Sequence, residues 1–125
     1  MLKKFEYLYD DEIGIMYKYY FGEIVLDDIS SSWNYAIEQN LIPKGTRRFV
    51  VNYKLATFNI RISEYPEIAN YFKKNLEVFG GCRIAVVTNI NKDFVFPLMV
   101  KKLDEGYESS PFAELDDAVN WVMEV

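Results

Sequence analysis

RRFVVNYKLATFNIRISEYPEIANYF, Arg47 to Phe72, changes its apolar period part-way along. Phe49, Val50 and Val51 form an unbroken apolar run, as in a strand covered on both faces. From Ser63 onward the spacing becomes helical, with Ala69, Phe72, Leu76 and Phe79 on one face and Gly80 and Gly81 as the stop. A buried strand handing over to an amphipathic helix is the repeating unit of a parallel sheet with helical cover. The joint between Asn52 and Ser63 is long for such a unit, which marks it as a candidate working surface.

Upstream, Phe5 to Tyr9 alternates apolar and polar residues, and Asp10, Asp11 and Gly14 form a turn. In the returning strand Ile13, Ile15, Tyr17, Tyr19 and Phe21 recur at every second residue, and Gly14, Met16, Lys18 and Tyr20 take the other face. Tyr17, Tyr19 and Phe21 read as core, with an aromatic-lined pocket as the alternative. LDDISSSWNYAIEQN predicts a helix with Ile29, Trp33, Ile37 and Leu41 in line, capped by Asp27 or Asp28 and stopped by Pro43 and Gly45.

Downstream, CRIAVVT reads as a buried strand. NINKDFVFPLMVKKLDEG reads as a helix capped by Asn91, with Val95, Leu98, Met99 and Leu103 inward. A strand over Tyr107 to Phe112 and a closing helix with Leu115, Ala118, Val119 and Val122 inward complete the order ββαβαβαβα. The fold class is α/β, with a mixed, mostly parallel sheet of four to five strands and about four helices, and residues 1–125 form a single domain.

Composition excludes several functions. Half the residues are hydrophobic and 17% aromatic, which is incompatible with disorder. The net charge of −5 and the lack of a basic stripe argue against nucleic acid. With no histidine and one cysteine, Cys82, the His-dependent nucleophile systems and structural zinc sites are absent. No enzyme activity, metal or cofactor is expected. No apolar run is long enough for a membrane span, and a cytoplasmic location is the simplest expectation.

Order and phrasing together resemble the STAS domains, in their SpoIIAA-like branch. GEIVLDDI (Gly22–Ile29), the strand, joint and helix of Phe49 to Phe72, and PFAELDDAVNWV (Pro111–Val122) carry the likeness. The resemblance implies protein–protein signalling, switched in antagonist members by phosphorylation of a serine or threonine at this joint. The switch pattern is Asp-Leu-Ser, four residues, then Ile-Asp-Ser-Ser/Thr-Gly. Laid ungapped here, Asn52 takes the first Asp, Ile60 the second, Arg61 and Ile62 the hydroxyl positions, and Ser63 the glycine. The acidic neighbour is absent, so no clear phosphoacceptor motif is present. Ser63 is read as the N-cap of the helix, and as a phosphoacceptor only in second place.

Ligands of open α/β sheets bind where parallel strands end. Asn59, Arg61 and Ser63 on the joint, with Thr88, Asn89 and Asn91 after the fourth strand, form the candidate binding surface, against ordinary loop polarity. Two readings follow. One is a non-catalytic protein-binding module with an unidentified protein partner. The other is a carrier for a small apolar ligand or lipid, consistent with the broad similarity of SEC14-type domains to SpoIIAA-like ones. A homodimer through an exposed aromatic strand or helix face remains open.

Overall fold

A computed structural model describes residues 3–125. A hairpin of β1 (Phe5–Asp10) and β2 (Ile15–Ile24) leads into α1 (Leu26–Glu38) and β3 (Arg48–Phe58). A 3-10 turn, Ile62–Glu64, runs into α2 (Tyr65–Lys73), followed by the single-turn α3 (Leu76–Phe79) and β4 (Arg83–Val87). A second 3-10 turn, Lys92–Phe94, enters α4 (Val95–Lys101), and β5 (Glu108–Phe112) and α5 (Leu115–Val122) close the chain. The single helix expected from Ser63 to Phe79 is thus divided at Asn75, whose side chain donates to the Tyr71 carbonyl at 2.8 Å.

The sheet has the order β1-β2-β3-β4-β5, with β1 antiparallel to β2 and the other pairs parallel. Right-handed crossovers between strands added in one direction all fall on one face. That face carries α1 to α4 over a large core that includes Trp33, Phe49, Phe72, Phe79 and Ile84. α5 instead lies under the sheet, on the opposite face. There Ala118 and Val122 pack on Ile15, Val50, Ala85 and Val87. Arg83 and Arg48 hold its end by donating to the Trp121 and Val125 carbonyls at 2.8 and 3.0 Å.

Phe49 and Val51 enter the large core and Val50 the small one, so β3 is covered on both faces as predicted. Four side-chain expectations need correction. In β2 it is Met16, Lys18 and Tyr20 that are buried beneath the helices, whereas Tyr17, Tyr19 and Phe21 are only half-buried on the α5 side. Periodicity groups residues on faces but does not say which face receives the helices. In α4 the inward residues are Phe96, Pro97 and Val100, while Val95 and Leu98 are exposed and Leu103 packs at the margin. The opening 3-10 turn sets this phase. In α1, Ala36 takes the inward place beside Ile29 and Trp33, and Leu41 lies outside the helix and exposed. That helix stops at Asn40 (φ 56°), where Leu41 N–H donates to the Ala36 carbonyl at 2.9 Å. Asp28 accepts from Val25 N–H at 2.9 Å from within the first turn, so it is not the N-cap residue itself.

Candidate functional site

The long joint is mostly strand. β4 ends at Val87 opposite Asn52, but β3 continues along β2 to Phe58. Between the pairs Tyr19–Asn52 and Phe21–Leu55, β3 has one more residue than β2. This bulge is held by Lys54 N–H donating to the Asn52 side chain at 2.9 Å. Beyond it, the edge of β3 that β4 no longer covers must find other hydrogen-bond partners.

The loop after β4 supplies them. Asn89 donates to the Lys54 carbonyl at 3.1 Å, and Asp93 accepts from Phe58 N–H at 3.2 Å. Asn91 accepts from Asp93 N–H at 2.8 Å, the capping role expected of it. Asp93, which carries the bond to β3, was not singled out from the sequence. Its position two residues after a capping Asn was the available signal.

The candidate residues therefore divide into groups. Asn59, Arg61 and Ser63 are exposed on the joint, with Asn59 donating to Glu23 at 3.2 Å. Asn91 is exposed on the opposite loop, and Asn89 is half-buried in its bond to β3. Thr88 is buried, so the structure removes it from the rim. Ser63 does not cap the helix. The 3-10 turn begins one residue earlier, at Ile62, and Glu64 reaches back to accept from Arg61 N–H at 2.9 Å. That arrangement leaves the Ser63 side chain in solvent.

The same edge carries apolar residues that periodicity overlooked. Leu55 is 73% exposed and Ile90 is 77% exposed, and each directly follows an endpoint of the Asn89–Lys54 bond. Ile62, 49% exposed, stands on the joint. Leu55 faces out because the bulge shifts the alternation of β3 after Asn52.

Inside the large core, between α1, α2, α4 and the sheet, a cavity of about 40 Å³ is lined by Trp33, Tyr53, Phe58, Phe72, Phe96 and their neighbours. Ligand pockets span roughly 300–1,000 Å³, so this space admits a water or two but no carrier cargo.

Lys18 is fully buried and donates to the Ser32 hydroxyl. Its amine lies 3.9 Å from the Trp33 ring centroid and 4.4 Å from that of Tyr20, with Tyr7 and Phe5 farther out. The rings favour the charged amine by ~2 kcal/mol when water is excluded, but removing an ion from water costs several. Desolvation wins, and burial holds the amine well below the usual lysine range. Ser32 is satisfied, accepting also from Tyr20 at 2.9 Å and donating to the Ile29 carbonyl at 3.1 Å. Cys82 is buried, with its thiol pushed up by burial against the opposing effect of Arg47, as in an inert core cysteine. Among the described residues no three His, Cys, Asp or Glu side chains converge as a metal site would require.

This arrangement, a hairpin followed by parallel crossovers with helices on one face and a last helix beneath, has a solved counterpart. It is an uncharacterised protein of the DUF3478 family from Shewanella loihica, described as having a SpoIIAA-like fold. The two superpose with a TM-score of 0.58 over 86% of this chain and 83% of that one. The fold is SpoIIAA-like. At 14% identity the likeness establishes the architecture that the STAS resemblance implies, and the residues of the edge are this chain's own. No family model and no curated protein matches the sequence. Among the described residues no helix is long and apolar enough to cross a membrane.

Proposed function

We propose that this SpoIIAA-like domain is a non-catalytic protein-binding module in regulatory signalling, working through the carboxyl edge of β3 and β4. One observation carries the reading: Leu55 and Ile90, each more than 70% exposed, directly follow the two residues that the Asn89–Lys54 bond joins. Exposed large apolar side chains on a fastened edge, with Asn59 and Arg61 exposed on the joint and Asn91 on the facing loop, suit a protein surface better than solvent. The small size of the core cavity, about 40 Å³, favours this reading over a carrier. A cytoplasmic setting belongs to the same reading, supported by the buried free thiol of Cys82. Ser63, exposed and free of capping duty, is a residue a kinase can reach, but it lacks the acidic neighbour of the antagonist pattern.

The test is capture from the native host with the parent chain, with Leu55→Asp plus Ile90→Asp, and with Arg61→Glu. The expected result is a partner retained by the parent and lost from the apolar double variant while the circular dichroism spectrum is preserved. Equal capture by all three chains removes this edge from consideration. A copurified small apolar molecule in native mass spectrometry would turn the assignment toward the carrier.

A further inference from the structure

The geometry points to a second copy of this chain as the occupant of the free edge of β1, joined by antiparallel β1–β1 pairing about a two-fold axis at Tyr7. The Lys4 carbonyl accepts from Phe21 N–H at 2.7 Å, so it faces β2. Alternation then turns the backbone N–H and C=O groups of Phe5, Tyr7 and Tyr9 outward along the edge. Such an unpaired row is a template for another strand. β1 has no proline and no bulge to blunt it.

Charge selects both the occupant and the register. The stretch KKFEYLYDDE, Lys3 to Glu12, is basic at its start and acidic at its end, so antiparallel pairing with itself sets opposite charges together. Only registers that match outward-facing residues can form a ladder. With Tyr7 opposite Tyr7, Lys4, immediately before the strand, meets Asp10 at the strand's end, and Glu6 meets Leu8. Sliding the partner by two residues either way sets Glu6 against Glu6 or against Asp10, and directly opposed like charges are destabilising. The centred register contributes roughly six inter-chain backbone hydrogen bonds from the three outward residues of each strand.

The same axis brings the two α1 helices side by side on one face of a continuous sheet. It closes an open groove of about 460 Å³ along β1, lined by the charged Lys3, Lys4 and Glu6 as well as by Phe5, Tyr7, Tyr35 and Leu41. Tyr35 is 50% and Leu41 38% exposed, and their aromatic and aliphatic surfaces meet across the axis. Lys4 now reaches Asp28 at 3.0 Å, an exposed contact that Asp10 of the other copy replaces. This interface lies on the β1 edge and is independent of the proposed binding edge of β3 and β4.

Sedimentation equilibrium of the full chain over a concentration series tests the proposal. The expected mass is twice 14.7 kDa. Lys4→Glu alone and Asp10→Lys alone each set like charges opposite and weaken the dimer at least tenfold. The combined charge swap restores it. A mass of 14.7 kDa at every concentration overturns the proposal. So does a dimer indifferent to every single swap, which places the contact elsewhere. A monomeric chain whose β1 amides become protected from exchange only on adding another protein assigns the edge to a foreign strand and overturns it too.

Discussion

The two faces of the sheet are built on different scales. Four helices cover one face, with Trp33, Phe49, Phe72 and Phe79 packed edge to face or tilted at centroid separations of 4.9 to 6.3 Å. The other face has the eight-residue α5, and its buried core is aliphatic, with Ile15, Val50 and Val87 in the sheet. Because α5 sits under β3 and β4, the β1–β2 end of that face is left open. There Tyr17 and Tyr19 stack on each other half-buried, and Leu8 is 57% exposed. Crossover handedness thus decides which apolar stripe becomes core, even when both stripes of a strand are equally apolar.

The sharpest way to break the comparison is Phe79→Ala. Truncating a fully buried ring in the large core should cost about 3–5 kcal/mol, measured by urea unfolding. A loss under 1 kcal/mol would mean the aromatic cluster does not dominate stability.

Lys18→Met acts on the same face with the opposite sign. It removes a buried amine, fills the space with an apolar chain and orphans no partner of Ser32, so stability at neutral pH should rise by roughly 1–3 kcal/mol. The folded-state pKa of Lys18 is lowered by burial, so above it the unfolded chain holds a proton that the folded chain has shed. Parent stability therefore climbs with pH between the lowered value and the unfolded value near 10.4, by at most ~1.4 kcal/mol per unit from this group. The Met variant should lack that slope, and its advantage should shrink toward alkaline pH. Denaturant midpoints across a pH series measure both effects, and parallel curves for the two proteins would contradict the assignment.

On the smaller face, Ile15→Val removes one methylene from a thin core and should cost about 0.5–1.5 kcal/mol in the same assay. The smallest effect belongs to Ser63→Ala, within about 0.5 kcal/mol of the parent. A cap would cost ~1 kcal/mol on removal, so a loss of that size would return Ser63 to the helix start.

Element order and class were legible because each relied on spacing along the chain alone. The candidate edge was legible only in outline. Asn91 declares its capping role locally, and the structure places Asn59, Arg61 and Asn91 in solvent. Thr88 and Ser63 misled, because their environments depend on a neighbouring strand and on a 3-10 turn that spacing does not encode. Leu55 and Ile90 were invisible for the same reason: a one-residue bulge turned one outward, and a side-chain bond across the gap fixed the loop of the other. Lys18 read as an ordinary polar position in a strand, since nothing along the chain announces a ring of aromatic side chains drawn from β1, β2 and α1.

Taken by itself, the sequence determined the alternation of strands and helices, the hairpin at the start, and the lack of histidine chemistry. Those are properties of local period and composition, which need no knowledge of distant neighbours. The tertiary structure decided which face of β2 became core, where β3 stops being a joint and remains a strand, and what surrounds Lys18. Each of these depends on contacts between segments far apart in the chain, and burial is a property of the assembled layers rather than of any one segment.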